Sequence, residues 1–357
     1  MYNKQVIGNG FLKYFPTPRF LAQPAVGLAI SDQAVRFVLL KHFDDGGLKP
    51  IIYGERLLPA GALLGGDIAR AKEIIEILKE LKKGWPTPYV AVSVPEEKAF
   101  LFKTEVPMMA EKYIRGNLDL HLEEFVPIAS HEAVFDFELI GPSKIKTDSL
   151  DIGVAVLSQK IVSHFVGVLE VAGIKPLSLE VEPQAVARSL IRQGDQRTVL
   201  IINFGGVSTG LAIVGHNVVQ YSSTLNIGGN TFSSALRKSI TTTDKEADGN
   251  IEKFSSLLGT LSVLRDEINR LLVYWREHRV LADGGTGNKI ELIILCGRDS
   301  SINGFREYIS ASVNLPVTVG NVWANTFSFD DYVPSIQFSD SLGYAAAIGL
   351  ALRRPSA

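Results

Sequence analysis

Two stretches of the chain repeat the same order of apolar and polar positions. Residues 199–214 read VLIINFGGVSTGLAIV, which is an apolar run, a glycine-rich polar turn and a second apolar run. Residues 26–41 read VGLAISDQAVRFVLLK, again two apolar runs around a short polar turn. Continuous runs of β-branched and aliphatic residues bounded by turn residues are typical of buried strands. The pattern therefore predicts two strand hairpins, one in each of two similar α/β halves.

Between the two hairpins, the spacing of apolar residues predicts alternating strands and helices. A strand at 51–58 precedes an amphipathic helix at 68–81, and a strand at 89–94 follows it. Further along, a helix that Ser158 caps is followed by a strand at 176–181 and a helix at 184–191. This order is typical of a parallel α/β sheet.

Residues 96–158 interrupt that order. They predict a strand at 99–106, a helix at 111–125 and then two consecutive strands at 133–140 and 150–157. Two strands in succession form an antiparallel hairpin more readily than a parallel crossover, which needs a long connection. The pattern therefore predicts a small inserted α+β subdomain.

Composition and charge narrow the class of protein. The 357 residues are 46% hydrophobic and 21% charged, which suffices for two domains with apolar cores. The net charge of −2 disfavours nucleic acid as a partner. The single cysteine, Cys296, lies in an apolar run and is interpreted as a buried core thiol in a reducing compartment. No apolar run reaches the roughly 18 residues that cross a bilayer, so a cytoplasmic protein is expected.

The turn at residues 205–210 offers backbone N–H groups and two hydroxyl groups to whatever lies over it. Glycine-rich turns of this kind suit an anion, because their unpaired N–H groups are partially positive. Taken alone, an ordinary hairpin explains this turn better than a phosphate site does.

Several motifs together resemble the actin-like ATPase superfamily and, more narrowly, the PilM family of type IV pilus assembly, a relative of the FtsA division proteins. They span residues 24–353 and read AVGLAIS, VLIINFGG, NIGGNTFSSAL, LIILCGRDSSINGFREYI and LGYAAAIGLALR. The resemblance implies a two-domain actin-like (ribonuclease H-like) α/β fold with an inserted small α+β subdomain. In that fold, two hairpins clasp the phosphates of ATP from opposite sides.

The resemblance also implies a division of the chain. We expect a first core domain of residues 24–95, 159–196 and 341–357, with the insert at 96–158. The second core domain is expected at 197–226 and 288–340, with a helical subdomain at 227–287. Residues 1–23 are interpreted as a strap across the body, and a membrane or partner contact is the alternative.

The sequence departs from the resemblance where ATP would be cleaved. Relatives that hydrolyse ATP place an aspartate at the end of the first strand of each hairpin, because Mg²⁺ prefers carboxylate ligands. Ala29 and Asn203 stand at those positions, and Asp32 is interpreted as a turn residue. Glu182 resembles the residue that orients the attacking water, although a helix-initiating Glu-Pro pair explains it equally well. We therefore expect no metal site, no efficient ATPase and no catalytic residue beyond the candidate Glu182.

The adenosine contacts of the family also differ here. The stretch 245–251 carries Ile251 where the family usually has lysine. Arg298 and Asp299 replace two glycines of a GGG-like loop, and Arg298 is interpreted as a surface arginine in a vacated pocket, with base stacking or phosphate binding as the alternative. The remaining expected nucleotide contacts are Ser31, Gln33, Gly205, Gly206, Ser208, Thr209, Gly228, Gly229, Asn230, Gly297 and Arg298. ATP, with or without Mg²⁺, is expected to bind weakly or not at all.

The function that the resemblance implies is assembly of the type IV pilus. Such a protein binds the N-terminal cytoplasmic peptide of a PilN-type inner-membrane protein, in a groove beside the insert, and is peripheral to the inner membrane through that partner. Pilus motor or platform components and further protomers are additional expected partners. The alternatives are an active actin-like ATPase, a sugar kinase or an FtsA-like division protein. The last is disfavoured because the tail at 353–357 is too short for an amphipathic membrane helix.

Overall fold

A computed structural model describes residues 24–43, 47–143, 148–231, 249–283, 289–301 and 305–353. Two of the sequence predictions lie wholly or largely outside these residues: the strap at 1–23 and residues 245–248 of the adenosine stretch at 245–251. Within the described ranges, every helix is too short or too polar to span a lipid bilayer.

Strands and short helices alternate along most of the described chain. The strands are β1 (Val26–Ile30), β2 (Ala34–His42), β3 (Leu48–Leu57), β4 (Leu63–Leu64), β5 (Asp67–Ile68), β6 (Tyr89–Val94), β7 (Ala99–Pro107), β8 (Ala133–Pro142), β9 (Ser149–Ser158), β10 (Lys175–Val181), β11 (Val199–Phe204), β12 (Thr209–Gly215), β13 (Val218–Leu225), β14 (Leu292–Cys296) and β15 (Val317–Val319). The α-helices are α1 (Ala71–Lys82), α2 (Glu111–His121), α3 (Gln159–Val171), α4 (Glu182–Leu190), α5 (Gly249–Asp283), α6 (Phe305–Val313), α7 (Phe338–Ser341) and α8 (Ala345–Ala351).

Two sheets with the same internal pattern form the two halves. The first sheet has the order β10-β6-β1-β2-β3, in which β1, β2 and β3 are antiparallel and β1, β6 and β10 are parallel. The second sheet repeats this with antiparallel β11, β12 and β13 and parallel β11, β14 and β15. The predicted hairpins and the two similar halves are confirmed.

The central strand β11 is covered on both faces, which explains its unbroken apolar sequence. Val199 and Ile201 pack into a core shared with the first sheet. Leu200, Ile202 and Phe204 alternate with them and pack against α5 and α6 on the other face. The apolar stripe of α5 belongs to this second core and consists of Leu261, Leu264, Ile268, Leu271 and Trp275.

The insert extends the second sheet. Its strands add to β13 in the order β7-β9-β8, and Tyr221 of β13 pairs with Phe102 of β7. The predicted hairpin of two consecutive strands is formed by β8 and β9. Helix α2 covers one face with Ile114 and Leu118 and has its own small core. Strand β8 is consequently one outer edge of the larger sheet, opposite β15, and β10 is one outer edge of the smaller sheet, opposite β3.

Small residues allow the closing helix α8 to approach the first half closely. A Cβ at Gly27 of β1 would lie 2.0 Å from the carbonyl oxygen of Ala347, and one at Gly349 would lie 1.7 Å from that of Ala185. Neither position has room for a side chain, because the obstructing atoms belong to the backbone. Glycine at 27 and 349 therefore fixes the distance between α8, β1 and α4.

Several element boundaries differ from the sequence predictions: the helix predicted at 68–81 spans Ala71–Lys82, and the strand predicted at 51–58 spans Leu48–Leu57. The helix predicted at 111–125 ends as an α-helix at His121, and a 3₁₀ turn at Leu122–Glu124 continues it. Helix α4 begins at Glu182 instead of residue 184, because Pro183 suits the first turn of a helix. The short β4–β5 hairpin has no counterpart among the predicted elements, since two-residue strands carry no periodicity.

Candidate functional site

The turns of the two hairpins face each other across a cleft between the halves. A cavity of about 70 Å³ lies there, lined by Ser31, Asp32, Gln33, Arg36, Pro95, Glu96, Glu97, Glu182, Asn203, Gly205, Gly206, Ser208, Gly210, Gly297, Arg298 and Gly343. The cleft thus brings together most of the residues predicted to contact a nucleotide. Thr209, Gly228, Gly229 and Asn230 do not line this cavity, although they contact its walls.

Several polar groups of the two turns form hydrogen bonds within the protein. Ser31 Oγ donates to the carbonyl of Ala34 at 3.0 Å and accepts from its N–H at 3.2 Å, which closes the first turn. In the second turn, the N–H of Gly205 donates to the carbonyl of Ser208 at 3.0 Å. The fully buried Thr209 donates its hydroxyl to the carbonyl of Ile227 at 2.5 Å. The Ser31 and Thr209 hydroxyls therefore stabilise the hairpins.

The predicted nucleotide contacts Gly228, Gly229 and Asn230 are docked on the second turn. The N–H of Gly229 donates to the carbonyl of Gly205 at 2.9 Å, and the N–H of Asn230 donates to that of Gly206 at 2.8 Å. A Cβ at Gly228 would lie only 2.5 Å from the carbonyl carbon of Gly206. Hydrogen bonds to the hairpin thus occupy the N–H groups that would otherwise be free for phosphate.

The two turns also touch each other directly. The Gln33 side chain of the first turn lies over Gly206 of the second, where a Cβ would come within 1.9 Å of Gln33 Nε2. Asp299 lies over Gly229 in the same way, because a Cβ at Gly229 would come within 1.9 Å of Asp299 Oδ2. A typical small-molecule site needs about 300 Å³ or more. The residues of this cleft, as arranged here, do not fit a triphosphate.

Four carboxylates converge on the cleft, and three of them were not among the predicted contacts. Asp32 follows β1, Glu96 and Glu97 follow β6, and Glu182 follows β10. Because β1, β6 and β10 are parallel, their carboxyl ends meet at one edge of the sheet. The sequence signal for Glu96 and Glu97 was therefore available in the Glu-Glu pair just after the strand at 89–94.

Burial raises the pKa values of three of these carboxyl groups. The pKa of Glu182 is raised to about 7, first by burial and then by the charges of Glu97 and Asp32. Burial also raises the pKa of Glu96 well above its usual range, although the Thr224 hydroxyl donates to it at 2.6 Å. The pKa of Asp32 is raised as well, again by burial first and then by Glu97. Burial thereby favours the protonated form of these carboxyl groups relative to the same groups in water.

Glu182, the catalytic candidate, is held by the residue that replaces a metal-binding aspartate. Asn203 Nδ2 donates to Glu182 Oε1 at 3.1 Å, and Cys296 Sγ lies 3.7 Å from Asn203 Oδ1. Cys296 is buried, as predicted, and burial raises the pKa of its thiol. Ala29 is a core residue. In the part of the chain that the structure describes, no group of three or more acidic, histidine or cysteine side chains could hold a metal ion.

The loop after β14 reaches across to the first half. Gly297 has a left-handed φ of 90°, and a Cβ there would lie 2.4 Å from the carbonyl oxygen of Phe204. Arg298 Nη1 pairs with Glu55 Oε1 of β3 at 3.2 Å, and Arg36 Nε of β2 pairs with Glu55 Oε2 at 2.5 Å. Arg36 was not predicted as a site residue, although a lone arginine in the apolar strand AVRFVLL marks it in the sequence.

A second surface of interest includes residues of the edge strands β8 and β10, where the charge of Glu180 on β10 acts on Glu138 of β8. We call it the inter-edge surface and define it by Val134 and Glu138 of β8 and Leu177 of β10. Val134 is 43% exposed and Leu177 is 47% exposed. Burial raises the pKa of Glu138. The charge of Arg188 lowers this pKa, and the charge of Glu180 raises it. Glu180 already pairs with Arg188 and Arg353 at 2.8 and 2.6 Å.

Comparison with known proteins gives one family and two informative structures. The family model described as type IV pilus assembly protein PilM matches residues 27–355. The chain is similar to a PilM-PilN type IV pilus biogenesis complex, with 23% identity over 93% of this chain and 99% of that chain and a TM-score of 0.75. It is also similar to MreB5 of Spiroplasma citri bound to AMPPNP, with 15% identity, coverages of 92% and 94% and a TM-score of 0.50. Both likenesses confirm the predicted actin-like fold.

Proposed function

Because the chain belongs to the PilM family of type IV pilus assembly proteins, we propose that it works by holding a partner peptide and not by hydrolysing ATP. The peptide is the N-terminal cytoplasmic segment of a PilN-type inner-membrane protein. The protein then lies in the cytoplasm, peripheral to the inner membrane through this partner.

The match of the family model to residues 27–355 carries the proposal. That family consists of type IV pilus assembly proteins, and the similar solved structure is a complex of PilM with PilN. The match begins at β1 and reaches past α8, so it covers both halves and the insert. A partner-binding role is therefore proposed for the whole body and not for one subdomain.

The inter-edge surface is the part of the molecule that best suits an extended peptide. Edge strands can accept a further strand by main-chain hydrogen bonds, and side-chain pockets then give specificity. Here β8 of the insert and β10 of the smaller sheet are edge strands, with exposed apolar side chains at Val134 and Leu177. Glu138 makes no hydrogen bond within the described chain. An apolar peptide with a basic residue would complement this surface.

The closed cleft supports the other half of the proposal. The N–H groups of Gly229 and Asn230 donate to hairpin carbonyls, and Gln33 covers Gly206. A nucleotide would have to displace these contacts before its phosphates reached the N–H groups of Gly229 and Asn230. We therefore propose weak or absent ATP binding, with or without Mg²⁺, and no turnover.

Binding to pilus motor or platform components and assembly of protomers are further proposals without a defined surface.

Calorimetric titration tests the peptide site. A synthetic peptide of the first residues of the PilN-type partner is titrated into the full chain and into Val134→Asp. Placing a carboxylate under an apolar peptide side chain leaves it desolvated, so we expect at least about a 30-fold loss of affinity. Leu120→Asp is the matched control, because Leu120 is 82% exposed on α2, on the opposite face of the insert.

The control should bind the peptide as the unmodified protein does. Equal loss in both variants would show that the insert is merely destabilised. Unchanged binding in Val134→Asp would move the peptide away from the inter-edge surface, and a peptide that does not bind any variant would contradict the proposed function itself.

An actin-like ATPase is the second candidate, and one observation favours it. The pKa of Glu182 is raised to about 7, which suits a general base at neutral pH. If Glu182 acted in this way, the protein would release phosphate steadily from ATP and Glu182→Gln would reduce that rate by about 100-fold. We expect no steady release from either protein.

A further inference from the structure

A second and larger cavity lies next to the cleft. Its volume is about 390 Å³, within the range of small-molecule sites. Its walls are Arg36, Tyr53, Glu55, Arg298, Ser335, Ile336, Gln337, Asp340, Gly343 and Tyr344. Arg36, Arg298 and Gly343 also line the 70 Å³ cavity, so these three residues separate the two spaces. The larger cavity is distinct from the hairpin turns and contains none of their glycines.

Two arginines converge on one carboxylate in the wall of this cavity. Glu55 Oε2 accepts from Arg36 Nε at 2.5 Å, and Glu55 Oε1 accepts from Arg298 Nη1 at 3.2 Å. Arg36 belongs to the first half and Arg298 to the second. A carboxylate held between two guanidinium groups has the same arrangement as a bound oxyanion. With Asp340 included, the lining of the cavity has two positive and two negative side chains, so the two arginines gain an excess of positive charge only where Glu55 is displaced from them.

Arg36 keeps unused donors in a protected position. Its side chain is only 11% exposed, whereas that of Arg298 is 50% exposed. Within the described chain, the terminal nitrogens of Arg36 donate to no acceptor, since its one hydrogen bond uses Nε. Arg36 lines both cavities, so these nitrogens are available to donate to an acceptor bound in one of them.

The other residues that line the cavity suit a ligand in which an organic group with hydroxyls is attached to the anion. Asp340 offers acceptor oxygens, and Gln337 offers both a donor and an acceptor. Tyr344 lies edge-on to Tyr53, with ring centroids 6.1 Å apart. Burial, followed by the charge of Glu55, raises the pKa of Tyr344 to about 12, so its hydroxyl remains a donor at neutral pH.

We propose that this cavity is a binding site for a small phosphate ester, whose phosphate pairs with Arg36 and Arg298 and whose hydroxyl groups meet Gln337 and Asp340. Glu55 is an internal competitor that fills the phosphate position in the free protein. Binding therefore exchanges one carboxylate for the ligand's phosphate at the two arginines. Since Arg36 and Arg298 come from different halves, the ligand joins the halves as Glu55 does. The proposal does not depend on the partner peptide.

Removal of the competing charge is the main test. Pyrophosphate and AMP are titrated calorimetrically into the full chain and into Glu55→Gln, which keeps the size of the side chain. Without Glu55, two guanidinium groups face each other without an anion, so Glu55→Gln should bind AMP at least about tenfold more tightly than the unmodified protein. Adding Arg298→Gln to that variant should reverse the gain. Glu80→Gln is the control, because it breaks the exposed pair between Glu80 of α1 and Arg56, which lies on the same strand as Glu55.

The two probes separate an ester from an inorganic anion. AMP that binds more tightly than pyrophosphate supports the proposed ester, because the cavity then contacts the attached body. Tighter pyrophosphate binding would overturn the ester, and an equal affinity of Glu55→Gln and the unmodified protein for both probes would overturn the site.

A measurement on the unmodified protein tests the site without relying on the folding of the variants. Arg298 and Arg56 are exposed to similar extents, at 50% and 49% of their side chains, and each pairs with a glutamate. AMP should slow the modification of Arg298 by phenylglyoxal at least about threefold, as followed by mass spectrometry, and should leave Arg56 unaffected. Equal rates for Arg298 with and without AMP would contradict the proposal.

Discussion

The cleft between the hairpins and the inter-edge surface differ in how their polar groups are satisfied. In the cleft, the N–H groups of Gly229 and Asn230 donate to hairpin carbonyls, and Gln33 covers Gly206. At the inter-edge surface, two sheet edges and the carboxylate of Glu138 face outward beside exposed apolar side chains. The cleft therefore keeps its shape through hydrogen bonds within the protein, whereas the inter-edge surface presents open sheet edges to solvent. The inter-edge surface is the one suited to recognition.

The largest expected effect tests whether the cleft is a structural element. Gly228→Ala would place a Cβ 2.5 Å from the backbone of Gly206, where no flexible side chain can move aside. We expect a loss of about 3 kcal/mol in the free energy of unfolding, measured with urea. Gly116→Ala in α2 is the control, because its Cβ would meet nothing within 4 Å and should stabilise the helix by about 0.5–1 kcal/mol. Equal stability of the two variants would refute a tightly docked cleft.

The next effect is a dependence of stability on pH. The folded pKa of Glu182 is about 7 against an ordinary value of 4.5, so the folded protein binds more protons than the unfolded chain between these values. Stability then falls as pH rises through this window. Glu182→Gln keeps an acceptor for Asn203 but removes the titration, and it should gain about 2 kcal/mol over the unmodified protein at pH 8 and little at pH 4.

Urea unfolding at both pH values measures this difference. Glu132→Gln, a change at an exposed side chain of the insert, serves as the control. An identical pH profile for Glu182→Gln and the unmodified protein would mean that Glu182 is not the desolvated carboxyl of the cleft. Glu96 contributes in the same direction, since burial raises its pKa too, so the slope should shrink without vanishing.

The smallest effect concerns the side chain that joins the two turns. Gln33→Ala removes the group that lies over Gly206 and enlarges the space between the hairpins. We expect MgATP to bind about tenfold more tightly than to the unmodified protein, still without steady phosphate release, because no metal-binding acids are added. Gln193→Ala, on the surface after α4, is the control. If Gln33→Ala released phosphate steadily, the distinction between cleft and inter-edge surface would be lost.

Much of the fold could be predicted from the sequence because its signals are local. The hairpins around 205–210 and 31–33 have long apolar arms with polar turns, and Ser158 caps α3 by accepting from the N–H of Lys160. The addition of the insert to the second sheet could not be predicted in this way. It depends on pairing between Tyr221 and Phe102, which lie far apart in the chain.

The candidate site was predictable in position but not in detail. Glycines and hydroxyls of the turns identify the cleft, yet whether their N–H groups are free depends on tertiary docking, as the bonds from Gly229 and Asn230 show. Arg36, Glu96 and Glu97 were missed because each follows or interrupts an apolar strand and carries no motif. The parallel order of β1, β6 and β10 brings the carboxylates together, and that order is a property of the sheet.

The most direct test of the central claim is a paired calorimetric titration of one preparation with the PilN-type peptide and with MgATP. Recognition at the inter-edge surface predicts one-to-one peptide binding at least about tenfold tighter than MgATP binding, with no phosphate released during the titration. Tight MgATP binding with steady phosphate release, and no heat from the peptide, would contradict it.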